Sequence, residues 1–305
     1  MRKLLFLAVF LMSTSVYAVQ CAQDRLYAHE LGEICIPDVP KRIVVLEYSF
    51  VDHLGVLGEI PVGIAKDAMP QYLNSIAVDS EVVGTRKSPS LEAIAALRPD
   101  LIIGDKKRHA SLYKQLSAIA PTLIHNSLRG SYQEQINSLL QIADITHKTE
   151  LAKKAIADLE EKIEQARAQA HHNNLVVGVF RPGAINAHSH QSFMGSLIAR
   201  VGKKIPLEAR GGQTQYVLDI EGIAAVNPDA IVMMCSQKSQ QAFDDLVKHP
   251  VFSALKAVKN KHLYVVGKNL WSKGRGVLGL NQIIDSSISS GLLHNTDSQS
   301  LTCID

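Results

Sequence analysis

Long apolar runs are nearly absent from this chain of 305 residues. Apart from Leu4–Met12, no segment approaches the roughly 20 apolar residues that a membrane helix needs. An excess of one charge is missing too. The 32 Lys and Arg against 29 Asp and Glu leave a net +3 with no long basic run, which excludes a dedicated nucleic-acid binder. Aromatic residues are only 5%, with one Trp, which argues against a platform for stacking single strands. The four cysteines contain no C-x-x-C, so a zinc ribbon or thioredoxin-like motif is excluded. G-x-S-x-G, H-E-x-x-H and Walker A sequences are all lacking. What remains is a globular composition, 46% apolar and 20% charged, at a length that suits about two domains.

Residues 1–18 read as a signal peptide. Arg2 and Lys3 precede the apolar Leu4–Met12, and Val16-Tyr17-Ala18 offers small residues for cleavage after Ala18. Cys21 lies near that cut, but Gln20 is bulky where lipoprotein processing wants a small residue. The expectation is export to the periplasm. An oxidising compartment favours disulfides. Cys21, Cys35, Cys235 and Cys303 allow three pairings. Two short arms around a turn favour Cys21–Cys35, with Cys235–Cys303 as the second pair.

The chain contains an internal repeat. Residues 90–104, SLEAIAALRPDLIIG, and 219–233, DIEGIAAVNPDAIVM, are identical at seven of fifteen positions. Each reads as a short helix capped by Ser90 or Asp219, a stop at Pro99 or Pro228, and a buried strand. An offset of 129 residues is too long for a solenoid and means two related lobes. Further strands are expected at Arg42–Leu46, Pro61–Ala65, Thr122–Ile124, Leu175–Phe180 and His262–Val266. Helices are expected at Phe50–Leu57, Phe193–Val201 and Val277–Leu293. The fold class is therefore α/β, two lobes with mostly parallel sheets joined by one long α-helix. The boundaries are 19–145 for the N-terminal lobe, 146–172 for the linking helix and 173–305 for the C-terminal lobe. Leu151, Ala155, Leu159, Ile163, Ala166 and Ala170 form the apolar stripe of that helix. A single rigid connection permits only a small hinge, and a ligand cleft belongs at the strand C-termini.

Gly274-Arg275-Gly276-Val277-Leu278-Gly279 has G-x-G-x-x-G spacing, but no second strand with a ribose-binding acid follows it. It reads instead as a glycine loop opening a helix, whose free N–H groups favour an anion. Arg86, Arg108, Arg129, Arg181 and Arg275 all stand near strand ends. Guanidiniums converging from both lobes would take a polycarboxylate by bidentate hydrogen bonds. His188 and His190 make a two-histidine candidate for a metal, and with it a secreted metal-dependent enzyme as the alternative of a different class.

These segments resemble the periplasmic solute-binding proteins of iron–siderophore ABC importers, most closely those for ferric dicitrate. The strongest match runs from Val83-Gly84-Thr85-Arg86 through Pro121, including Arg108-His109-Ala110. Arg42–Glu47, Asn186-Ala187-His188, Gly195-Ser196, Glu221–Pro228, and Trp271 with Arg275-Gly276 carry weaker matches. The resemblance implies a monomer that catalyses nothing, holds no resident cofactor and closes little on its ligand. It implies a ferric siderophore as cargo, with Arg86, Arg108, Arg181, Trp271 and Arg275 binding it, and no iron ligand from the protein. It also implies that Glu92 and Glu221, one per lobe, dock on the inner-membrane permease. Lys273 stands where a further arginine is expected near Trp271. A ferric catecholate or haem is the alternative cargo, with His188, His190 or Tyr48 completing iron coordination in the catecholate case.

Overall fold

A computed structural model describes residues 21–22, 25–171 and 173–304; the proposed signal peptide lies outside the described residues. The chain begins with an antiparallel hairpin, β1 (Leu26–His29) and β2 (Gly32–Cys35). Cys21 is bonded to Cys35 across it, with Cα atoms 5.8 Å apart. Cys235 is bonded to Cys303 at 4.9 Å, tying the tail to the second sheet. Both favoured pairs are therefore present, and the Cys21 sulfur is committed to Cys35.

The first sheet contains β3 (Ile43–Val45), β4 (Gly63–Ile64), β5 (Glu81–Val82), β6 (Leu101–Asp105) and β7 (Thr122–His125). Its order is β5-β4-β3-β6-β7, all parallel. The second contains β8 (Leu175–Arg181), β9 (Ala184–His188), β10 (Gln215–Asp219), β11 (Ala230–Cys235) and β12 (Leu263–Gly267). Its order is β10-β9-β8-β11-β12, and only β9 runs against the rest. The segment around Asn186 and His188 is thus a strand. A turn at Pro182-Gly183, with Gly183 at φ 72°, folds β9 back on β8.

The repeat holds down to the backbone. Ser90 Oγ accepts from Ala93 N, and an Asp219 carboxylate oxygen accepts from Gly222 N. The helices Leu91–Ala96 and Ile220–Val226 follow. Just beyond them Arg98 (φ 46°) and Asn227 (φ 43°), again 129 apart, turn left-handed before each proline. The chains then enter β6 and β11, each inside its sheet and buried at every residue.

The long helix spans Thr149–Gln169, 21 residues and about 30 Å, shorter than expected at both ends. Thr146 instead ends the preceding helix Tyr132–Ile145, and left-handed His147 breaks the run. The buried face is Ala152, Leu159, Ile163 and Ala166, while Leu151 is 51% exposed. At about 100° per residue, Ala152 lies about 20° from Leu159 and Leu151 about 80°, which explains the correction. This helix packs on Tyr132–Ile145 from the first half and Val277–Ser289 from the second.

Candidate ligand-binding site

All five strands of the first sheet deliver residues to one place at their C-terminal ends. Glu47 follows β3, Asp67 follows β4 and Arg86 follows β5; Asp105 ends β6 before Arg108, and Ser127 follows β7. Glu47 is the centre. Its Oε1 accepts from Arg86 Nη1 at 2.6 Å and from Tyr48 N at 3.0 Å; its Oε2 accepts from Arg108 Nε at 2.8 Å. Burial alone would push the Glu47 carboxyl up, but the charges of Arg86, Arg108 and Arg275 outweigh it and hold it low.

Arg86 is fully engaged. Its Nε and Nη2 donate to Asp67 at 2.8–3.2 Å, and its guanidinium lies 4.1 Å from the centre of the Tyr48 ring. Asp105 fixes the neighbouring loops by accepting from the backbone N–H groups of Arg108, Ser127 and Leu128. His109 Nδ1 accepts from Asp105 N, and its Nε2 bonds the Arg86 carbonyl at 2.9 Å. These buried bonds set the arginine positions before any ligand arrives.

The second half contributes Arg275 and Lys273. Arg275 is buried and donates from Nη2 to Ser272 O at 2.8 Å. Burial lowers its pKa to about 10, and Glu47 and Asp105 resist that shift. No carboxylate contacts it among the described residues. Lys273 Nζ reaches across to the Ala68 carbonyl and donates to Asn269 Oδ1 at 2.7 Å. Burial, with Arg86 nearby, lowers its pKa to about 8. His188 is buried, shares a hydrogen bond with Ser192 Oγ at 3.2 Å, and is pushed to about 3 by burial and then by Arg275 and Arg129. Four cations (Arg86, Arg108, Arg275, Lys273) thus face three carboxylates (Glu47, Asp67, Asp105), leaving one positive charge in excess, while the exposed Arg129 acts on His188.

The glycine loop does bind an anion, but that anion is Asp52, which sequence reasoning did not single out. Its carboxylate accepts from Leu278 N at 3.0 Å, Gly279 N at 2.8 Å and Tyr72 hydroxyl at 2.7 Å. Burial raises Asp52 to about 6 against those bonds, leaving it ionised at neutral pH. A Cβ on Gly276 would lie 2.2 Å from Asp52 Cγ, and one on Gly279 2.5 Å from the Tyr72 hydroxyl. The glycine spacing therefore serves close approach of the two halves, and this contact seats Arg275.

Three of the five expected binding residues, Arg86, Arg108 and Arg275, converge on Glu47. Arg181 ends β8 in an exposed position, and its charge is not among those acting on Glu47 or His188. Trp271 is 1% exposed and its indole N–H bonds Ser286 Oγ at 3.2 Å; it packs against the helix Val277–Ser289. Its apolar bulk goes to the core. His188 and His190 do not act together, since His190 faces Leu207 O and Glu208. No three His, Cys, Asp or Glu side chains converge as a metal site among the described residues. Glu92 and Glu221 are both exposed, each as the second residue of its helix. Glu47 and Asp67 went unnoticed, although an acid directly beyond an apolar strand was visible at Glu47.

Residues 43–270 match the family model described as periplasmic binding protein. The chain belongs to that family. Its members are solute-binding proteins, so the enzyme alternative falls. The chain is 32% identical over 260 residues to the Fe(3+)-citrate-binding protein YfmC of Bacillus subtilis, covering 83% of this chain and 82% of that one. It is 32% identical over 265 residues to the Fe(3+) dicitrate-binding periplasmic protein FecB of Escherichia coli, covering 85% and 87%. Staphylococcus aureus SirA, solved with staphyloferrin B, superposes with a TM-score of 0.78 over 89% of this chain and 99% of its own; at 22% identity this likeness speaks to fold alone. The family resemblance read from the Val83–Pro121 segment is borne out, as are the two-lobed α/β class and the absence of an enzyme.

Proposed function

We propose that this protein is a periplasmic carrier of an anionic ferric siderophore, ferric dicitrate foremost, for an inner-membrane ABC permease. The observation that carries this reading is Arg275, a buried guanidinium beside a Glu47 already shared by Arg86 and Arg108. A buried charge without a close partner costs several kcal/mol, so an incoming carboxylate is stabilised there. Citrate fills much of the coordination of its own iron and leaves outer carboxylates for the terminal nitrogens of Arg108 and for Arg275. Completion by protein side chains is disfavoured, because the Tyr48 hydroxyl is bonded to Asp67 and His188 to Ser192. The two relatives named for ferric citrate support the same cargo. Exposed Glu92 and Glu221, equivalent in the repeat, are the proposed contacts to the permease.

Calorimetric titration with ferric citrate, a ferric catecholate and haem tests this. Ferric citrate is expected to bind tightest and to weaken with salt. Arg275→Ala is expected to lower its affinity about tenfold or more, as for a lost charged hydrogen bond. Equal affinity of Arg275→Ala for every anionic ferric chelate would overturn the assignment.

A further inference from the structure

We propose that Asp67 is a built-in competitor, a carboxylate of the protein that occupies the Arg86 fork which a ligand carboxylate would otherwise take. This inference rests on the carrier reading above. Arg86 offers its Nε–Nη2 edge to both Asp67 oxygens, the side-on bidentate pairing that guanidinium makes with a carboxylate. Asp67 is the outer member of the pair, with 32% of its side chain exposed against 8% for Arg86. Glu47, on the inner side, is only 3% exposed and holds Arg86 from behind. Removing Asp67 would therefore bare the fork without releasing the arginine.

The segment around Asp67 is a strap across the cleft. Lys66 N donates to Gly84 O at 2.8 Å, Asp67 N donates to the Tyr48 hydroxyl at 2.7 Å, and the Ala68 carbonyl accepts from Lys273 of the other half. A ligand that takes the fork must displace Asp67 and loosen the strap from Arg86.

The consequence is selectivity. A monocarboxylate only exchanges one carboxylate for another at Arg86 and gains little. A polycarboxylate chelate makes the same exchange and adds contacts to Arg108, Arg275 and Lys273. Asp67 thus discriminates against small anions by competition rather than by shape.

The test compares the parent with Asp67→Asn and Asp67→Ala in titrations with ferric citrate, free citrate and acetate. Asparagine keeps the size and an acceptor for Tyr48 but removes the charge. Both variants are expected to bind ferric citrate about tenfold tighter, with a steeper salt dependence. Free citrate and acetate are expected to gain by a similar factor, so that acetate, which gains little by exchange at Arg86 in the parent, binds measurably in the variants. Variants that melt like the parent yet bind ferric citrate no better would overturn the competitor role alone. If neither the parent nor the variants bind any anionic ferric chelate, the carrier reading falls, and this inference with it.

Discussion

Lys273 carries the least secure positive charge in the cleft. Burial and then Arg86 hold its pKa near 8, against the attraction of Asp67 and Glu47. The direction follows: as pH rises through about 8 the ammonium loses its proton, the cleft loses a positive charge, and an anion binds less well. Affinity for ferric citrate is expected to fall between pH 7 and 9, and Lys273→Met to flatten that fall while binding more weakly at pH 7. Titration across this range, at a fixed state of the ferric chelate, checks it. Arg98 offers a different test. Its left-handed backbone costs a branched or bulky side chain about 1 kcal/mol, and its counterpart in the repeat is already asparagine. Arg98→Asn is expected to raise stability by about 0.5 kcal/mol in urea unfolding, reduced by the loss of any packing by the arginine stem.

The contact between the glycine loop and the helix Tyr48–Val56 is the element on which the relation of the two halves turns. An exposed helix start finds water for its free N–H groups, whereas here the start of Val277–Ser289 is sealed by Asp52. Gly276→Ala puts a Cβ 2.2 Å from Asp52 Cγ, so the buried carboxylate must shift out of its bonds to Leu278 N and Gly279 N. A loss of about 2–4 kcal/mol is expected in chemical unfolding, as for a broken buried polar network. Ligand affinity is expected to drop with it, since Arg275 is the residue next to Gly276. Normal stability in Gly276→Ala would mean that the loop repacks freely and that the contact does not position Arg275.

Across the molecule, two α/β halves meet along the long helix, the helix Val277–Ser289 and the arginine cluster. Each half also presents one acidic helix start, Glu92 or Glu221. Alanine at both positions is expected to leave ferric citrate binding unchanged and to reduce uptake of radiolabelled iron by cells at least about tenfold. Such a split separates docking from capture, because both side chains are exposed and neither takes part in the hydrogen bonds at Glu47. Unimpaired uptake in the double variant would rule out the docking role.

The amino-acid sequence by itself determined the repeat, the parallel strands, the helix between them and three arginines at strand ends. Those features are local: apolar runs make buried strands, proline stops helices, and loops after parallel strands meet at one edge of a sheet. The reversed strand β9 escaped because a short apolar stretch beside a turn does not announce its direction. Leu151 was misplaced because four-residue steps drift around the helix, leaving it about 80° from Leu159 and off the face that Ala152, Ile163 and Ala166 share. Only the tertiary structure decided that Glu47 and Asp67 are the partners of Arg86, that Trp271 belongs to the core, and that the anion at the glycine loop is Asp52, 226 residues away. Charge pairing across such distances depends on where the folded chain brings its carboxylates, and that position has no signature in spacing along the sequence.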